Sequence, residues 1–347
     1  MVKEMQFIDL FAGLGGFHVA ASALPIPTQC VFASEKNKTL RTLYTQKFGV
    51  RPCGDIRGIN VDNIPDFDIL FAGFPCQPFT SIGKRAGFAD ANTGNLFFSI
   101  EAILRAKHPQ FFLLEQVHGI LGVRMQAELR YILSVFNTLR YDVIYYVLSP
   151  HQFGIPQHRK RVFFFGSRER IRHELMPVHD VRNPTLPAHS ITIRDIMLDR
   201  AELSDEITCR FMPVTEPRLH GQIERYRVKH GITDGARFVF QSTHNEDKFG
   251  RSIGIDRGVG HRGTTRTLIG ARASWPIHLQ EPYRIFTPRE GARLQSLPDA
   301  LILPDTYYHA YNAVGNAINA LVAQRVLEFH LCGMLDEASA TAPLRIC

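Results

Sequence analysis

The feature that most constrains this chain is an alternation over its first 180 residues, in which short apolar runs are separated by amphipathic stretches. Residues 6–10, 29–33, 68–72, 111–115, 143–148 and 161–165 read as strands. Several are apolar throughout, as strands buried on both faces must be. Residues 95–106 and 125–139 read as helices. Strand–helix alternation predicts an α/β fold, an open sheet with helices on both sides. The 347 residues leave room for a second, smaller domain beside it.

The pattern changes near residue 180. Residues 181–285 are richer in Pro, Gly, Arg and His, their periodicity is weaker, and 231–263 reads as loops and short strands. Helical character returns at about 317–335. No internal repeat or low-complexity tract interrupts the chain.

Charge and cysteine usage narrow the partners. The formal charge of +7 and a pI of about 9.2 favour a polyanion, though weakly. The six cysteines, at 30, 53, 76, 209, 332 and 347, form no C-x-x-C pair, which argues against a thiolate metal site. Their density does not suit a disulfide framework, so a reducing compartment is expected. No signal-like run precedes the first strand, and no apolar stretch is long enough to span a bilayer. The expectation is a cytoplasmic protein without a membrane partner or a metal.

The first strand runs into Phe11-Ala12-Gly13-Leu14-Gly15-Gly16-Phe17, and a helical stretch follows. Glycines after a strand let the backbone turn tightly and approach a ligand. Glu35 ends the next strand, where an acid can hold a ribose diol. Gly54-Asp55-Ile56 ends a plausible third strand, where Asp55 can accept from an adenine amine. Together they point to an adenosine-containing ligand, with a nicotinamide dinucleotide and S-adenosylmethionine both open. The glycine spacing departs from G-x-G-x-x-G, which counts against a pyrophosphate cradle.

The strand at 68–72 leads into Gly73-Phe74-Pro75-Cys76-Gln77-Pro78-Phe79. Ligands sit beyond the carboxyl ends of strands in such sheets. A cysteine boxed between two prolines there reads as a nucleophile rather than a buried structural thiol. The stretch after it is polar, basic and glycine-hinged, with Ser81, Lys84 and Arg85, and suits a lid over a phosphate backbone. Phe111-Phe112-Leu113-Leu114-Glu115 brings an acid to the same edge, placed to donate a proton. Gln157-His158-Arg159-Lys160-Arg161 abuts an apolar strand, so at least one arginine is expected to point into the site. A guanidinium there can hold a base carbonyl and favour a thiolate at Cys76.

Taken in order, 7–17, Glu35, 54–56, 73–80, 113–117, 157–161, 289–298 and 314–318 resemble the motifs of the DNA cytosine-5 methyltransferases, bacterial modification-methylase type. The likeness covers nearly the whole chain apart from 181–285. It implies a Rossmann-like S-adenosylmethionine-dependent sheet with a smaller, irregular β-rich target-recognition domain. The catalytic and cofactor-binding domain would be 1–180, the recognition domain and hinge 181–304, and 305–347 a segment returning to the first domain. It implies methylation of cytosine carbon 5 in a specific double-stranded DNA sequence, through a Cys76 adduct on a flipped-out base. Cys76, Glu115, Arg159 and Arg161 would be catalytic. Phe11, Gly13, Gly15, Glu35, Asp55, Ile56, Pro75, Leu96 and Asn316 would line the pocket for S-adenosylmethionine, with S-adenosylhomocysteine as product. Gln77, Ser81, Lys84 and Arg85 would meet DNA, as would Thr265 and Arg266 of Arg262-Gly263-Thr264-Thr265-Arg266-Thr267-Leu268, which resembles the end of the recognition region. The implied setting is a monomer in the bacterial nucleoid, paired functionally with a restriction endonuclease.

Three departures stand out. Glu115-Gln116-Val117 replaces the usual Glu-Asn-Val, whose asparagine braces the nucleophile loop. Ala313 stands where Gln is usual, and Asn319-Ala320 where Pro-Pro or similar follows the last motif. Two other functions compete: a tRNA cytosine-5 methyltransferase, whose Cys-Phe-Thr motif is absent here, and an inactive DNA-binding homologue, which would lack the nucleophile or the glycines. A nicotinamide enzyme does not account for Cys76, Glu115 and Arg161 together.

Overall fold

The computed structural model describes residues 4–74, 96–171, 190–198, 265–268, 275–278 and 283–331, with scattered positions between 176 and 240. Six strands form one sheet: β1 (Met5–Leu10), β2 (Thr28–Ser34), β3 (Ile69–Gly73), β4 (Phe111–Val117), β5 (Asp142–Leu148) and β7 (Arg161–Ser167), in the order β2-β1-β3-β4-β7-β5. β1, β2, β3 and β4 pair in parallel, while β7 runs antiparallel to both β4 and β5. All six strands lie where the apolar runs predict, to within two residues.

The run composition explains why these segments are central. Phe112, Leu113 and Leu114 are all fully buried, as are Phe164 and Phe165, so both faces of the sheet are covered. On one face, Ile8, Leu10, Leu70, Ala72, Phe112, Leu114 and Phe164 form a single core with α3 (Leu96–Lys107) and α4 (Gln126–Thr138). On the other, Phe17 of α1 (Gly16–Ser22) stacks on Phe71 at 5.2 Å, and His330 of the C-terminal α8 (Ala320–Leu331) stacks on Phe165 at 4.1 Å. The Nε2 of His330 also lies 3.1 Å from the Tyr146 hydroxyl. α2 (Lys38–Phe48) starts at Asn37, whose side chain accepts from Leu40 N, and stops at Gly49 with φ 71°.

Two expectations need correction. Gly54-Asp55-Ile56 does not end a sheet strand: only Cys53 forms a lone parallel bridge with Ser34, and Asp55 then caps the short 3₁₀ turn Ile56–Gly58. An aspartate followed by a glycine-closed turn competes with strand extension by bonding its own backbone. The last helix starts at Ala320 rather than 317, because 317–319 separate it from α7 (Tyr307–Asn316).

The chain divides into two compact units. The first comprises 1–148, 160–177 and 320–336, and holds the sheet. The second comprises 149–159, 178–319 and 337–347. In it, β6 (Gln157–His158) pairs in parallel with β9 (Thr265–Arg266), and β10 (Ile277–His278) pairs with both β8 (Val239–Phe240) and β11 (Arg284–Ile285). Its α6 (Pro288–Leu294) opens on a capping box of Thr287 and Glu290, and buried Glu290 also takes two bonds from Arg284 at 2.7 and 2.5 Å. α5 (Ile193–Ile196) is a single turn with its own Thr192–Asp195 box.

Candidate active site

The site is built at the carboxyl ends of β1 to β4. β3 hands its chain to Gly73-Phe74, and Gly73 is in register with Glu115 on β4. Glu115 is 9% exposed and receives the Arg161 Nε at 2.9 Å. Arg161 opens β7 opposite Val117, so its side chain reaches back along the antiparallel pair to the acid two residues away. Of the arginines in the 157–161 run, Arg161 is the one that meets this acid.

Gln116, at the altered motif position, has a defined partner. Its side chain is buried, and its Nε2 donates to the Phe74 carbonyl at 2.7 Å. That carbonyl lies two residues before Cys76. The longer amide therefore braces the root of the loop, and leaving the buried carbonyl unpaired would cost about 1–3 kcal/mol. Cys76 itself lies outside the described residues, as do Pro75, Gln77, Ser81, Lys84 and Arg85.

The glycine-rich turn is left-handed at three of its positions. Phe11, Gly13 and Gly15 take φ of 57°, 55° and 80°, and a Cβ at Gly15 would stand 2.4 Å from the Phe48 ring. The Glu35 carboxylate accepts from Gly13 N at 2.9 Å and from Asn37 N at 2.7 Å, which ties the end of β2 to the turn. Cys53, two residues before Asp55, runs alongside, since Glu35 N donates to Cys53 O at 3.0 Å and Cys53 N donates to Ala33 O at 2.8 Å. A carboxylate at the end of β2, a second capping the 3₁₀ turn and a left-handed turn after β1 fit an adenosine-bearing cofactor. Leu96 begins α3, half-buried against the core, and Ile56 is buried within it.

Beneath the turn lies a polar cluster that sequence reasoning missed. The Tyr44 hydroxyl donates to Asp9 at 3.1 Å and sits 2.8 Å from His18 Nδ1, with the Cys30 sulfur at 3.8 Å. Burial pushes the His18 imidazole down to about 4, keeping it neutral, and pushes the Cys30 thiol up to about 12. Asp9 is raised well above the ordinary carboxylate value by burial, against the pull of Tyr44. These residues come from β1, α1, β2 and α2, and no local spacing joins them.

Arg159, Thr265 and Asn316 belong to the second unit. Arg159 is 3% exposed and donates to the carbonyls of Leu268, Gly315 and Ala317 at 2.7–3.1 Å. Within this unit it acts as a tie between segments distant in sequence. Thr265, expected to meet DNA, has no exposed surface to offer it, and its hydroxyl donates to Pro156 O at 3.2 Å. Arg266 pairs through its backbone with His158. Asn316 is exposed at the end of α7. Near Ala313, Gln295 donates to Val314 O at 3.3 Å and Asn319 to Leu294 O at 2.9 Å, so side-chain amides on either side fasten the α7 end. Among the described residues no cluster of three His, Cys, Asp or Glu could hold a metal ion, and no helix is long and apolar enough to cross a membrane.

Known proteins place this architecture. The structure resembles Schizosaccharomyces pombe Dnmt2 methyltransferase with a TM-score of 0.64 and 20% identity, over 94% of this chain and 97% of that one. It also resembles a putative DNA modification methyltransferase encoded in an Escherichia coli prophage, at TM-score 0.63 and 20% identity, covering 93% and 97%. At such identities the likeness speaks for the fold alone, an α/β Rossmann-like sheet. In sequence the chain is 31% identical to the Type II methyltransferase M.DsaV of Dactylococcopsis salina over 331 residues, covering 94% of this chain and 87% of the relative. It is 32% identical to M.NlaX of Neisseria lactamica over 330 residues, covering 93% and 95%. The profile of the C-5 cytosine-specific DNA methylases matches residues 5–331. With that match spanning the sheet, the Glu115–Arg161 pair and the glycine turn, the chain belongs to the C-5 cytosine-specific DNA methylase family.

Proposed function

We propose that the protein methylates carbon 5 of cytosine within a specific double-stranded DNA sequence, as the modification half of a restriction–modification system. The observation that supports it most is the Glu115–Arg161 pair, held beside a loop root that Gln116 fastens at Phe74. Acid, guanidinium and the root of the nucleophile loop thus meet at one sheet edge.

The target base must leave the duplex, at a cost of a few kcal/mol, before side chains can reach both ring edges. Cys76 attacks carbon 6 as a thiolate, forming a sulfur–carbon bond, while Glu115 delivers a proton to ring nitrogen 3. Arg161 holds the carbonyl at carbon 2 and keeps the carboxyl group oriented. The electron pair then resides at carbon 5. S-adenosylmethionine, when bound, supplies an electrophilic methyl group to that carbon. A base takes the carbon-5 proton, the carbon–sulfur bond breaks, nitrogen 3 returns its proton to Glu115, and the base leaves methylated. Glu35 suits the ribose hydroxyls and Asp55 the adenine amine, with Phe11, Gly13, Gly15, Ile56, Pro75, Leu96 and Asn316 completing the pocket. Gln77, Ser81, Lys84, Arg85 and Arg266 are assigned to DNA, and Arg159 to the catalytic set.

Bisulfite sequencing of DNA from cells expressing the protein tests this reading. Cytosines protected within one sequence context are expected. Unprotected DNA, together with methyl transfer to tRNA in a parallel assay, would replace it with an RNA-directed function. Glu115→Gln is expected to lower kcat by about 10²–10⁴.

A further inference from the structure

Asp55 does not meet its surroundings as a free carboxylate. Its Oδ1 accepts from Arg57 N at 3.1 Å and from Arg57 Nε at 3.0 Å, and its Oδ2 accepts from Arg57 Nη2 at 2.5 Å. Lys36 Nζ lies 3.8 Å from the same Oδ2. The guanidinium grips both oxygens from two residues downstream, the fork geometry that a carboxylate binds most firmly. Each carboxylate oxygen offers about two acceptor sites. Oδ1 has both taken, whereas Oδ2 has one hydrogen bond and keeps a lone pair. The carboxylate is therefore fixed in orientation with one acceptor position left, two residues past Cys53, whose carbonyl accepts from Glu35 N at 3.0 Å.

We propose that Arg57 is a positioning residue that presents Asp55 as a single, oriented acceptor and thereby makes the pocket select a 6-amino purine over a 6-oxo purine. This rests on the reading of Asp55 as the partner of the adenine amine. A 6-amino group brings an N–H to the remaining lone pair. A 6-oxo group brings a second lone pair against an ionised oxygen that cannot turn away. Without the guanidinium only the backbone N–H of residue 57 still holds Oδ1, so Oδ2 is no longer fixed, contact with the amine weakens and the clash with the oxygen is relieved. Lysine cannot restore the arrangement fully, because an ammonium is a point donor rather than a planar fork.

The test is calorimetric titration of the full-length protein with S-adenosylhomocysteine and with S-inosylhomocysteine, for the wild type, Arg57→Gln and Arg57→Lys. The wild type is expected to prefer the adenosine form by about 100-fold or more, since a site built around a hydrogen bond rejects the analogue lacking it. Arg57→Gln is expected to bind the adenosine form about tenfold more weakly and to narrow the preference at least about fivefold, with Arg57→Lys in between. A merely structural role would weaken both nucleosides alike and leave their ratio unchanged, which would overturn the proposal. Tighter binding of the adenosine form by Arg57→Gln would also overturn it, because Arg57 would then compete for Asp55. Should the wild type bind neither nucleoside, the cofactor reading itself falls. A wild-type preference that survives in Arg57→Gln removes Arg57 alone.

Discussion

Single side chains carry the most specific consequences. Gln116 substitutes for a shorter amide and still reaches the Phe74 carbonyl at 2.7 Å. Gln116→Leu is expected to lower kcat while leaving S-adenosylhomocysteine affinity intact, as titration alongside turnover would read. An equal loss in both would mean that the side chain supports the whole sheet rather than the loop. His18 has a different signature. Its folded-state value, depressed to about 4 by burial, lies below the ordinary 6.5. The unfolded chain therefore binds the extra proton first as pH falls, so His18's contribution is full above about 6.5 and is lost on going down towards 4. Asp9, raised by burial, works in the opposite sense, so the difference between proteins is the quantity to measure. Urea midpoints of wild type and His18→Gln between pH 7 and 4 are expected to converge as pH falls; a constant gap would contradict this. The acid, the arginine and the turn were legible in the sequence because each ends or opens an apolar strand. Arg57 and Tyr44 were not. Arg57 reads as a solvated turn residue until its fork is seen on Asp55, and Tyr44 meets Asp9 across 35 positions.

Elements are held apart or together by glycines where a side chain has no room. A Cβ at Gly166 in β7 would stand 2.2 Å from the ring of Phe112 in β4, inside a fully buried layer. Gly166→Ala is expected to destabilise the protein by about 1–3 kcal/mol through overpacking, measurable as a lower thermal midpoint. Gly15→Ala combines a left-handed φ of 80° with a clash on Phe48, at the junction of the turn and α2. It should weaken S-adenosylhomocysteine binding more than it lowers the midpoint, and unchanged affinity would dissociate the turn from the pocket. The six sheet strands were readable because residues buried on both faces leave uninterrupted apolar runs. The short strands at 157–158 and 265–266 were not: two residues carry no period, and their pairing spans over a hundred positions. Asp55's neighbourhood misled for a related reason, since a lone bridge at Cys53 looks locally like a strand.

At the scale of the whole molecule, a net charge of +7 and a DNA-directed family predict binding that depends on phosphate contacts. Affinity for duplex DNA is expected to fall by about 10³-fold or more between 50 and 200 mM salt if six or more phosphates are neutralised. A flat response in a filter-binding assay would point to another mode of recognition. The segmental make-up of the first unit, with 160–177 and 320–336 joining 1–148, explains why motifs spread along the chain can serve one chemistry. The central claim is that this chemistry passes through a bond to Cys76, assisted by Glu115. The direct measurement is incubation with S-adenosylmethionine and duplex DNA containing 5-fluorocytosine at the sites identified by bisulfite sequencing, followed by denaturing electrophoresis. Fluorine blocks the final proton removal, so the wild type is expected to appear as a protein–DNA adduct that Cys76→Ala does not form. No wild-type adduct, or an equal adduct from Cys76→Ala, would contradict the covalent mechanism.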